Sequence, residues 1–131
     1  MAENGLMELT ALERRKYGYL SEVMDLSRQL GEALDHNDQV SVRMLVAMRQ
    51  EPILHLQELE GVLRARRDSL TPEESKRVGA LLKGAEPADE GERAYLHQVG
   101  IVRRLLERVL ELDQRLDRRV AGSNSFYSHR S

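Results

Sequence analysis

Apolar positions recur every three or four residues in four blocks along this chain, and short polar clusters separate the blocks. Side chains at that spacing share one face of an α-helix, so each block predicts a helix packed along one side. The first block spans about residues 6–34, with Leu9, Leu12, Leu20, Val23, Leu30 and Leu34 as its stripe and Met7 and Met24 at its margin. It stops at "DHND", residues 35–38, where Asn and Asp side chains compete for backbone hydrogen bonds and favour a turn. Asp38 is placed to cap the helix that follows.

The second block is the most regular. Val42, Leu45, Arg49, Pro52, Leu56, Leu59 and Leu63 step by three and four without a break, the seam of a helix crossing a neighbour at a shallow angle. Arg49 puts a charge on that seam, and either reaches water past its aliphatic stem or meets a partner. Pro52 removes a backbone hydrogen bond and predicts a kink near Met48 to Pro52, or a boundary between two helices; the unbroken phase favours the kink. "SLTPEES" then reads as a helix start: Thr71 as cap, Pro72 in the first turn and Glu74 closing a capping box. Val78, Leu81 and Leu82 form the apolar side of this short helix, Gly84 ends it, and "GAEPADEGE" is a loop.

The last block runs from about Asp89 to Val120. Val102, Leu105, Val109, Leu112 and Leu116 make its stripe, and Val99, Leu106 and Leu110 widen it beyond what a two-helix seam requires. Either two neighbours bury this helix at once, or part of its arc is left for a partner. Gly100 weakens it locally, and Gly122 in "AGSNS" is its expected stop. The expected fold is all-α: an elongated antiparallel bundle or bent hairpin of three long helices and one short one. Residues 1–121 form the bundle domain and 122–131 a flexible C-terminal tail.

Composition narrows the function. In 131 residues, 32% of them charged, the formal net charge is only -2, so no global field recruits nucleic acid or acidic lipid. Arginines outnumber lysines 17 to 3, and those on the last helix are interleaved with acidic residues, where Glu107 with Arg103 and Glu111 with Arg115 have the spacing of surface ion pairs. The absence of cysteine excludes disulfides and thiolate chemistry and suits a reducing cytosol. "MAENGLMELT" lacks the basic-then-apolar layout of a secretory signal, and no apolar run is long enough to span a bilayer. These features predict a cytoplasmic protein that neither inserts into membranes nor binds nucleic acid.

Catalytic patterns are missing. His36, His55, His97 and His129 do not pair at metal-ligand spacing, and no Gly-rich phosphate loop or nucleophile elbow occurs. "ALERRKYGYLSEVMDL" invites comparison with all-helical chorismate mutases, but Arg14, Arg15 and Lys16 are adjacent and diverge around the helix. No enzyme activity, cofactor or metal is expected.

The order of a long helix, "DHND", a second long helix containing Arg49 and Gln50, a broken third section and a long last helix resembles the flagellar type III export chaperones. It is most similar to the FlgN-like chaperones of hook-associated proteins; the FliT-like filament-cap chaperones are a weaker match. "LGEALDHNDQVSVRMLVAMRQEPILHLQELEGVL" looks like that family's first helical hairpin, and "LLERVLELDQRLDRRV" like its last helix. "GSNSFYSHRS" is similar to small-residue tails with one tyrosine, and Pro52 is a departure from plainer members.

The resemblance implies a cytoplasmic chaperone that binds the C-terminal amphipathic helices of hook-associated proteins. It would prevent their premature assembly and deliver them to the export apparatus. The expected partner-binding residues are Val99, Val102, Leu106, Val109 and Leu110, with Phe126 and Tyr127 as a lid over the bundle or an anchor for the partner, against the alternative of a disordered end with no role. The competing readings are that these five residues are only bundle core, and that the chain is a structural helical bundle whose broad stripe is a coiled-coil homodimer interface.

Overall fold

The computed structural model describes the backbone over residues 3–130 and side chains over 5–120. It contains four helices and, among the described residues, no strand: α1 (Glu3–Asp35), α2 (Gln39–Asp68), α3 (Pro72–Leu82) and α4 (Glu90–Arg130).

The connections are built by local chemistry. Asn37 adopts φ 53°, its N–H donates to the Leu34 carbonyl at 3.2 Å, and the Asp38 N–H donates to the Ala33 carbonyl at 2.9 Å. This pair of bonds satisfies carbonyls that the end of α1 would otherwise leave free. The next residue in the same turn starts α2: Asp38 accepts from the Ser41 N–H at 3.1 Å and from the Ser41 hydroxyl at 2.6 Å. Thr71 and Glu74 form the reciprocal capping box that "SLTPEES" predicts. Gly84, at φ 110°, ends α3 with the same two-bond closure, Gly84 N–H to Leu81 and Ala85 N–H to Ala80. A Cβ there would be strained, which is why the position is glycine.

Two expected boundaries differ. α2 runs unbroken through Pro52, so the alternative of two helices there falls. The carbonyl that Pro52 cannot satisfy belongs to Met48, an exposed residue. α4 continues beyond Gly122 to Arg130. A single glycine costs a helix about 1 kcal/mol and ends it only where a left-handed turn follows. The side chains of Phe126 and Tyr127, expected to act as lid or anchor, lie outside the described residues.

α1 is the middle element, packed along its length against both α2 and α4, which approach each other far less closely. α2 runs antiparallel to α1, and α4 runs parallel to it. The core follows this axis in three segments. Leu6, Leu9, Leu59, Leu63, Val78 and Tyr95 close the end where α3 sits. Leu20, Val23, Val102 and Val109 fill the centre, and Leu30, Ala33, Val42, Leu45 and Leu116 fill the far end. The breadth of the α4 stripe is thereby partly explained, since α1 takes one side of it and α3 and α2 touch the other.

Candidate functional site

Because α2 and α4 stand apart over α1, a groove opens between them. At the α3 end it deepens into a pocket of about 170 Å³, lined by Glu13 and Lys16 of α1, Arg67 of α2, Leu82 of α3, and Tyr95, Val99, Val102, Arg103 and Leu106 of α4. The five α4 residues expected to bind a partner divide by placement. Val102 and Val109 are buried in the core, 3% and 4% exposed. Val99 and Leu106 are half-buried and line the pocket, and Leu110 is 52% exposed beyond them. The surface that the stripe offers is therefore Val99, Leu106 and Leu110; Val102 and Val109 support it from beneath. Ile53 and Leu56 of α2 are half-buried against the same central cluster.

The seams explain the polar groups in this groove. In α1 the positions 6, 9, 13, 16, 20, 23, 27, 30 and 34 step by three and four, and Glu13, Lys16 and Ser27 occupy three of them. In α4 the series 95, 99, 102, 106, 109, 113, 116 and 120 contains one charged residue, Asp113; in α2 the charged seam residue is Arg49. Helical phase turns each of these side chains inward, where a lone charge would be costly, and each of the charged ones finds a partner. Arg49, buried, forms an ion pair with Asp113 across the bundle. Burial raises the Asp113 carboxyl above its ordinary range; the Arg49 charge pulls it back, and Asp117 adds to the rise. Ser27, fully buried on α1, also favours the Asp113 charge without completing a hydrogen bond of full geometry.

At the α3 end, Lys16 pairs with Glu60, and Arg67 lies 3.7 Å from Glu13. Glu13 is buried, and desolvation raises its pKa against the pull of Lys16, Arg67 and Arg103. The expected pairs of Glu107 with Arg103 and Glu111 with Arg115 do not come within ion-pair distance among the described residues. Arg103 is instead exposed at the groove's rim.

A second polar cluster holds α3 and the loop onto α4. Arg77 donates to both carboxylate oxygens of Glu92, at 2.9 and 2.6 Å, and to the Glu86 carbonyl at 2.9 Å. Glu92 also accepts from the Ala88 N–H at 2.8 Å, while Asp89 caps α4 by accepting from the Glu92 N–H. The Arg77 hydrogen bonds, then that from Ala88, lower the Glu92 pKa to about 2. This clamp fixes Leu82 at the mouth of the groove. A wider cleft of about 750 Å³ lies between the first turns of α1 and α4, lined in part by Leu6, Met7, Thr10 and Arg14.

Among the described residues, no cluster of His, Asp and Glu could hold a metal ion, and no helix is long and apolar enough to cross a membrane. No protein-family model, no curated protein and no solved structure matches the chain.

Proposed function

We propose that this protein is a helix-binding chaperone of the flagellar export type, which holds the C-terminal amphipathic helix of a hook-associated protein in the cytoplasm until export. The observation that carries the reading is the groove between α2 and α4. It has an apolar wall at Val99 and Leu106 of α4, continued along the same helix by the exposed Leu110, and it is lined with charge by Glu13, Lys16, Arg67 and Arg103. A helix laid in such a groove buries its own apolar stripe and is thereby kept from self-assembly. The helical order of the chain and its likeness to FlgN-like proteins supply the client class.

The test is direct binding of synthetic peptides from the C-terminal helices of hook-associated proteins, followed by fluorescence anisotropy. Leu110→Glu changes an exposed side chain, so the bundle should keep its helicity while affinity falls by about tenfold or more. Binding unchanged by Leu110→Glu, in a folded protein, rules out this groove as the client site. Dissociation of a homodimer by the same substitution, with peptide binding intact, would favour the coiled-coil reading instead.

A further inference from the structure

We infer that the occupant of the groove is an amphipathic helix with charges of opposite sign at the two ends of its apolar stripe. Its acidic end lies over Arg103, and its basic end over Asp117. The inference rests on the reading of the groove as a helix-binding site and adds the chemistry and placement of the partner.

The edge of α4 that carries the pocket residues Val99, Arg103 and Leu106 continues through Leu110, Asp113 and Asp117, in steps of four and three that keep all six on one face. Along that edge the character changes from basic, through apolar, to acidic. Arg103 lines the pocket together with Lys16 and Arg67. The last two are matched by Glu60 and Glu13, which leaves Arg103 as the exposed surplus cation of that end. Arg64, exposed one turn before Arg67 on α2, has no ion-pair partner among the described residues and adds to the same sign.

At the other end Arg49 neutralises Asp113, and Asp117 remains exposed and near enough to raise the Asp113 pKa. Arg103 and Asp117 are separated by about 21 Å of helix at 1.5 Å per residue. Leu106 and Leu110 lie between them, so a complementary helix needs about three to four turns of apolar stripe before its flanking charges meet their partners. A helix with the same sign at both ends would be attracted at one end and repelled at the other, and the placement of unlike ends fixes its register.

Three synthetic peptides test this, each about 18 residues long and carrying the same leucine stripe. One has glutamates at one end and lysines at the other, one has lysines at both ends, and one has glutamates at both. The protein is expected to bind the mixed peptide about tenfold more tightly than either uniform one at low salt, with the difference fading as salt screens it. Arg103→Glu should transfer the preference to the all-lysine peptide, and Asp117→Lys should transfer it to the all-glutamate peptide. Circular dichroism of both variants checks that these exposed substitutions leave the bundle folded. Equal affinity for all three peptides, or a preference that neither variant moves, overturns the charge assignment while leaving the groove as a binding site. If none of the three binds, both the assignment and the groove reading fail.

Discussion

Arg49 of α2 and Asp113 of α4, 64 residues apart in sequence, join their side chains across the bundle beside the fully buried Ser27. Removing one member leaves the other charged in a poorly hydrated place. Arg49→Ala or Asp113→Ala is therefore expected to lower unfolding stability by about 2–4 kcal/mol in urea titrations. The double replacement Arg49→Met with Asp113→Leu should restore most of that loss, because neither charge then needs a partner. If the two single losses simply added in the double variant, the pair would not be coupled.

The Glu92 clamp predicts an acid-sensitive α3. Its pKa is about 2 in the folded chain against an ordinary 4.5, so the folded state holds this proton more weakly than the unfolded state does. The resulting stabilisation is complete above pH 4.5 and disappears as pH falls towards 2. Glu92→Gln should be less stable than the parent at neutral pH and should lose less stability across that window. Denaturation midpoints measured at several pH values check it; parallel profiles would refute it.

Glu13 has the opposite sign. Burial raises its pKa above the ordinary 4.5, so its contribution favours the fold below that value and is lost as pH rises through the raised one. Glu13→Gln keeps the shape and removes the charge. Its stability relative to the parent should increase from acid to neutral pH, and a pH-independent difference would show that Glu13 is already well solvated.

The two helix ends can be tested singly. Thr71→Ala deletes the capping oxygen of α3 and should cost about 1 kcal/mol. Gly84→Ala forces a Cβ into a left-handed backbone at φ 110° and should cost about 1–2 kcal/mol. Both are read from thermal or chemical unfolding, and a neutral Gly84→Ala would mean that the turn relaxes without loss.

These caps were legible in the sequence because their partners lie within a few residues: Asp38 with Ser41, Thr71 with Glu74, Gly84 with Leu81. The four helices were legible for the same reason. The groove was less so. Its apolar residues stood out, but Val102 and Val109 could not be told from Leu106 and Leu110 without knowing which side α1 occupies. The polar residues Glu13, Lys16 and Asp113 carry a signal that counting only apolar positions misses. Each falls on the three-four step of its own helix, and a charge in that phase must face inward. What the sequence withheld was the pairing of Arg49 with Asp113 and of Arg67 with Glu13, because those contacts depend on helix registers set by the whole bundle. Gly122 misled because glycine weakens a helix without by itself ending it.

The central position of α1 also sets an order of assembly. α1 and α2 are joined by a three-residue turn and can zip together through contacts local in sequence, whereas α4 must return across α3 and its loop to meet α1. Local pairing is fast, and long-loop closure is slower. During synthesis the α1–α2 hairpin therefore exists before its third wall, with Leu20, Val23 and Leu30 bare along one flank. Until α4 arrives, only α2 covers these side chains, and apolar surface left open in this way is where wrong association begins during folding.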